Sequence, residues 1–133
     1  MQTNKKGNLA SAKVILDLTQ KGYEVYLPVS EHGLVDIVAL KDGIPYRLQV
    51  KYSSDGSVRN YTVHSKSGKN VRTSYKSDDF DFYAVYLSEV DFVAYVPQNL
   101  GGVVFRFDES KSGKAYYHYQ DFSDIRTFHS KRH

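Results

Sequence analysis

The chain has 133 residues, 18 Lys and Arg against 15 Asp and Glu for a net charge of +3, five His and no Cys. That length gives one domain with a real core; zero Cys excludes a disulfide framework and any Cys-based zinc site, and the scattered His residues show no metal-ligand spacing. No apolar run reaches the roughly eighteen residues of a membrane span and the Met-Gln-Thr-Asn-Lys-Lys start lacks the apolar stretch of a secretory signal, so a cytoplasmic protein with no membrane partner is expected.

Residues 5–21 read as a helix. Counting about 100° per residue from Leu9, Ala12, Val14, Ile15, Leu16, Leu18 and Thr19 fill an arc from roughly 140° to 340°. This predicts a mostly covered helix, with Lys13, Asp17, Gln20 and Lys21 on a narrow polar face. Ser11, near 200°, falls inside the covered arc, where a hydroxyl ordinarily bonds the carbonyl four residues back. Gly22 suits the residue just past the helix end. Glu24 to Val29 then alternates, with Val25, Leu27 and Val29 on one side, and reads as the first strand. Ser30 to Gly33 is a turn; Glu31 and His32 within it lie close to Asp36 in sequence, within reach of a metal or a phosphate, though loop polarity is the simpler account of them.

Leu34–Leu40 and Pro45–Lys51 are alternating apolar runs around Asp42-Gly43, the strongest short-range signal for a hairpin with a two-residue loop. With Lys41 opposite Ile44, Asp36 lies directly across from Gln49 and shares its face. Lys51, two positions on, projects from that face roughly 7 Å along the strand. An acid, an amide and an ammonium therefore converge. A solvated outer face accounts for such a trio in many hairpins. Here, however, Asp36 sits within Val35, Ile37, Val38 and Ala39, a near-continuous apolar run in which an unpaired carboxylate is costly. Pro45 falls at a non-hydrogen-bonded position, so its missing N–H removes no bond to Leu40.

Beyond Lys51 the chain becomes polar and glycine-spaced. Arg59–Val63 and Val71–Tyr75 read as two short strands joined around Gly68, a β-ribbon within an insertion of about residues 53–78. Between Tyr52 and Ser77, Arg59, Lys66, Lys69, Arg72 and Lys76 stand against Asp55 alone, giving this stretch +4 and leaving −1 for the rest. A two-stranded ribbon fits the major groove of B-DNA, where Arg or Lys reads guanine and Asn reads adenine. Arg59, Asn60, Tyr61, Lys66, Lys69, Asn70, Arg72, Ser74 and Lys76 are thus candidate DNA contacts. Asp79–Leu87 and Asp91–Pro97 form a strand pair around Ser88-Glu89-Val90, Pro97–Leu100 starts a short helix, and Val103–Phe107 is the last strand. Tyr116–Phe128 is poorly determined by pattern and Ser130–His133 is a tail.

Asp36, twelve intervening residues and Gln49-Val50-Lys51 resemble the D…(D/E)XK core of the PD-(D/E)XK nucleases, with Gln at the middle acidic position. Lys6-Gly-Asn-Leu-Ala10, Lys21-Gly-Tyr-Glu-Val25 and Asp81-Phe-Tyr-Ala-Val-Tyr86 extend the likeness over roughly residues 5 to 97. Together they are similar to the small group I intron-encoded homing endonucleases of that superfamily. The resemblance implies an α+β fold with a restriction-endonuclease-like αβββαβ core, a mixed sheet, an N-terminal helix and the inserted basic β-ribbon. It implies one nuclease domain over residues 1–133, with the core at about 5–52 and 79–107 and a C-terminal extension over 108–133. No long second helix is evident, which departs from the general fold.

What the resemblance further implies is site-specific double-strand DNA cleavage with Mg2+ or Mn2+ and no small-molecule cofactor. The metal is expected on Asp36, Gln49 and the Val50 main-chain carbonyl, and Lys51 is expected to orient water or stabilise charge. Related nucleases commonly place a glutamate on the first helix where Ser11 stands here. Ser11 and Gln49 together leave the site short of negative charge. One such site cuts one strand, so a homodimer or homotetramer on double-stranded DNA is expected. Two alternatives stand beside this: a Holliday-junction-resolvase-like nuclease, which would have little use for the long ribbon, and a catalytically impaired DNA-binding module on the same fold.

Overall fold

The computed structural model describes residues 2–30, 33–74, 79–100, 102–107 and 116–129; for residues 61–66, 72–74, 128 and 129 it describes the backbone alone. The elements in chain order are α1 (Thr3–Gln20), β1 (Glu24–Tyr26), β2 (Ile37–Lys41), β3 (Ile44–Ser53), β4 (Ser57–Val58), β5 (Tyr61–Lys66), β6 (Lys69–Ser74), β7 (Phe82–Leu87), β8 (Phe92–Pro97), β9 (Val103–Arg106), β10 (Tyr116–His118) and α2 (Arg126–His129). A five-stranded sheet runs β1-β2-β3-β7-β8, antiparallel throughout except where β3 and β7 lie parallel. This is the mixed α+β architecture that the sequence leads one to expect.

The hairpin forms in the expected register, with Lys41 opposite Ile44, Leu40 opposite Pro45 and Ile37 opposite Leu48. Its turn places Asp42 and Gly43 at φ 52° and 77°, the left-handed pair that a two-residue loop between twisted strands requires. β7 pairs with β3 only from Leu48 onward, so no strand flanks Pro45 on its other side. Where the parallel pairing begins, the Asp81 carboxylate accepts from Arg47 N at 2.8 Å and from the Arg47 guanidinium at 3.2 Å, while Asp81 N donates to Arg47 O at 2.8 Å. These bonds pin the register of β3 against β7.

Each face of the main sheet is covered. On one side Ala10, Val14 and Leu18 of α1 pack on Ile37, Ala39, Leu48, Phe82, Ala84 and Tyr95. On the other, Tyr83, Val85, Leu87, Ala94 and Val96 lie beneath Val58, Val103, Phe105 and Phe122. That second cover is a small sheet in the order β10-β9-β4. Val103–Phe107 is therefore neither the last strand nor part of the main sheet: β9 ends at Arg106, pairs with β4 and lies parallel to β10. Gly56 joins this cover to the chain leaving β3. Its φ is +90°, its carbonyl accepts from Phe105 N at 2.8 Å, and a methyl group on its Cα would run into the Phe105 carbonyl oxygen. Gly56→Ala is expected to destabilise the fold by about 2–4 kcal/mol, read as a drop in urea midpoint at unchanged slope.

Two expectations about the first fifty residues need correcting. The covered arc of α1 is narrower than the apolar pattern suggested: Ala12, Leu16 and Thr19 are exposed, and only Ala10, Val14 and Leu18 are buried. The first strand ends at Tyr26 rather than Val29, because Leu27 and Val29, at 63% and 103% exposure, alternate against no neighbouring strand. Among the described residues no long second helix covers the sheet, and the crossover from β3 to β7 runs instead through the ribbon.

Candidate active site

β2 and β3 part at Asp36, and the way they part builds the site. Asp36 N donates to Leu48 O at 2.8 Å, and the ladder goes no further along β2. The next β3 donor facing that side, Val50 N, has lost its strand partner and donates 2.8 Å to Asp36 Oδ2 instead. Asp36 thus holds the strands together where they diverge, and this bond fixes its carboxylate beside Gln49 and Val50. Gln49 Oε1 is buried and accepts no hydrogen bond from the described residues, a state that costs about 1–3 kcal/mol unless a partner arrives. Lys51 is half-buried on the same face, its Nζ 5.4 Å from the centre of the Tyr83 ring.

The electrostatics follow from this crowding. Burial pushes the Asp36 carboxyl above its ordinary range, against the Val50 N–H and the Lys51 charge, which both favour the carboxylate. Burial likewise lowers the Lys51 ammonium; the nearby Arg59 guanidinium lowers it further, and Asp36 opposes both. A carboxylate poised to gain a cation and a lysine eased toward losing its proton therefore stand side by side. Arg59, expected in the first strand of the ribbon, precedes β5, which begins at Tyr61, and lies close enough to Lys51 to lower its pKa.

The remaining candidates divide. Ser11 is half-buried at the edge of the covered face of α1. Lys13 and Asp17, on the other flank, reach Asp91 and the Tyr95 hydroxyl of the β7–β8 side. Ser11, about 160° from Lys13 around the helix, lies on the opposite flank. Asn60 is tied down: its Oδ1 accepts from the hydroxyl of the fully buried Tyr83, the ring beneath Lys51. This link was invisible in the sequence, because Tyr83 and Asn60 lie 23 positions apart and on different elements. β5 and β6 pair through a tight turn at Ser67 and Gly68, φ 54° and 78°, and form a ribbon that pairs with no other strand among the described residues. Lys69 and Asn70 are exposed at its tip. For Tyr61, Lys66, Arg72 and Ser74 only the backbone positions in the ribbon are described. Glu31, His32 and Lys76 lie outside the described residues.

Comparison with known proteins decides the family. The model of the PD-(D/E)XK endonucleases matches residues 1–123. The chain belongs to that family. The solved structure of a bacterial homing endonuclease, I-Ssp6803I, superposes on this PD-(D/E)XK endonuclease with a TM-score of 0.76 at 23% identity, covering 86% of this chain and 84% of that one. The shared fold is therefore the restriction-endonuclease-like one. Protein 5.3 of Escherichia phage T7 is 34% identical over 86 residues, 62% of this endonuclease and 71% of the phage protein. A nuclease of this fold acts on DNA. No helix among the described residues is long and apolar enough to cross a membrane.

Proposed function

We propose that the chain is a site-specific, double-strand DNA endonuclease of the homing type, dependent on Mg2+ or Mn2+. The observation that carries this reading is the buried Gln49 Oε1 with no hydrogen-bond partner, beside a carboxylate whose burial favours pairing with a cation. Asp36, Gln49 Oε1 and the Val50 carbonyl are oxygen donors, the kind that Mg2+ takes. Among the described residues no group of three or more His, Cys, Asp or Glu could hold a metal, so this donor set is poor in charge. DNA phosphate must complete it, and metal affinity is weak without substrate. The chemistry a divalent ion would supply there is neutralisation of charge on the phosphate and activation of the attacking water.

The chain's own residues do the rest. The Val50 N–H keeps the Asp36 carboxylate in one orientation as substrate arrives. Lys51, its pKa lowered by burial and Arg59, orients the attacking water and stabilises the charge that develops on the phosphoryl oxygens. The Tyr83 ring closes the floor beneath it. Outside the catalytic face, the ribbon carries Lys66, Lys69 and Arg72 and is the right width for the major groove. That supports a reader of sequence over a resolvase, which recognises shape. A homodimer or homotetramer places one site on each strand.

Ser11 favours a second reading, a DNA-binding module on this fold whose catalysis is impaired. Incubation of the protein with a random duplex library and Mg2+, with sequencing of cut ends, separates the two. Recurrent paired breaks at one sequence support the endonuclease; retention of duplex with no breaks in Mg2+ or Mn2+ supports the module. Ser11→Glu sharpens the distinction. A carboxylate at this position of α1 is expected to raise Mg2+ affinity and cleavage rate by about tenfold, one added anionic ligand offsetting part of the dehydration of the ion. Lower activity at saturating Mg2+ makes Ser11 an ordinary packing residue.

A further inference from the structure

Past Lys51 the next residues of β3 open onto a cleft of about 760 Å³, lined by Thr3, Lys6 and Gly7 of α1, Tyr52 and Ser53 of β3, and Ser54, Asp55, Ser57 and Arg59 beyond it. Two cations face into it. Lys6 holds its ammonium over the Tyr52 ring at 5.5 Å from the centroid, and Arg59 also sits close enough to Lys51 to lower its pKa. The one acid, Asp55, is committed to its own loop: Oδ1 accepts from Ser57 N at 2.9 Å and lies 3.4 Å from the Ser53 hydroxyl, and these hydrogen bonds hold its carboxyl below the usual range.

Gly7 is the unexplained member. It lies in the second turn of an 18-residue helix, where glycine is the poorest helix former after proline, and a Cβ built on it would meet nothing within 4 Å. Neither packing nor backbone conformation asks for glycine there. A ligand approaching the helix backbone closely would.

We propose that this cleft binds the DNA phosphate next to the one that is cut, with Lys6 and Arg59 neutralising it and Gly7 giving the sugar-phosphate backbone room. The inference rests on the endonuclease reading and deepens it. Spacing supports it: Lys51 and Ser53 are two residues apart on β3, an advance of about 6.6 Å, comparable to the step between successive phosphates of one strand. One strand laid over Lys51 therefore brings its neighbouring phosphate to the cleft mouth. The side chains present, two cations and several hydroxyls around one internally satisfied acid, match a phosphodiester's charge and acceptors.

The test uses the full chain with Lys6→Gln and Gly7→Ala, the duplex recovered from the library, and a set of that duplex in which single phosphates near the cut are replaced by uncharged methylphosphonates. Gly7→Ala is expected to raise the melting temperature, since alanine is the better helix former, yet to lower duplex affinity and cleavage about tenfold. Lys6→Gln is expected to weaken binding about fivefold and to reduce the slope of log affinity against log salt by about one. Neutralising the adjacent phosphate should slow wild type strongly and Lys6→Gln little further. Gly7→Ala with wild-type affinity and rate, or equal methylphosphonate penalties in wild type and Lys6→Gln, overturns the proposal while leaving the endonuclease reading intact. If wild type cuts nothing but binds a 30-base-pair duplex, the endonuclease reading fails and the binding measurements still decide the cleft. If it neither cuts nor binds, both fail.

Discussion

Asp36→Asn and Lys51→Ala are each expected to lower the single-turnover cleavage rate by about 10²–10³-fold or more, with duplex affinity within a few-fold of wild type. The two side chains share the face where Gln49 Oε1 is left without a partner, whereas affinity comes mainly from phosphate contacts elsewhere. Stability gives an independent sign. Burial raises the folded-state pKa of Asp36, so the benefit of its protonated form is present at acid pH and lost as pH rises through that value. Asp36→Asn should therefore melt no lower than wild type at neutral pH without metal, and any advantage should close as pH falls into the ordinary carboxylate range. Calorimetry across pH, beside the rates, checks both; a wild-type cleavage rate in either variant removes the site assignment.

Replacing Lys66, Lys69, Arg72 and Lys76 together by Gln should weaken binding to the recovered duplex about 10²–10³-fold at physiological salt. The salt dependence should become shallower by about 0.9 for every replaced cation that holds a phosphate. A cation that reads a base behaves differently: its loss costs about 1–3 kcal/mol and relaxes preference at one position. Arg59 is left in place because it stands beside Lys51, where its removal would disturb catalysis as well as binding. Fluorescence anisotropy over a salt series, with a binding-site selection on the variant, measures both effects. Unchanged specificity would mean that the ribbon is not the reader.

The central hairpin was legible because the Asp42-Gly43 turn fixes its own register, and the register alone put Asp36, Gln49 and Lys51 on one face. The ribbon was legible as a ribbon for the same local reason, a glycine turn between short polar strands, although its strands begin and end a few residues away from the expected places. What stayed hidden depends on contacts distant in sequence. The parting of the strands at Asp36 depends on where β2 leaves the sheet, so the capture of Val50 N by the carboxylate could not be read from alternation. The second sheet joins β4, β9 and β10, each four residues or fewer, from segments far apart in the chain. The exposure of Leu16, Leu27 and Val29 shows the same limit, since apolar spacing says which residues could be covered but not whether a neighbour exists to cover them.

The most direct measurement is Mn2+ binding to the protein–duplex complex by electron paramagnetic resonance, read beside strand breakage. A bound Mn2+ signal is expected in wild type that needs the duplex, is lost in Asp36→Asn and is weakened in Gln49→Ala, with breakage following the signal. Undiminished Mn2+ binding in Asp36→Asn, or cleavage that continues in EDTA, would contradict this expectation.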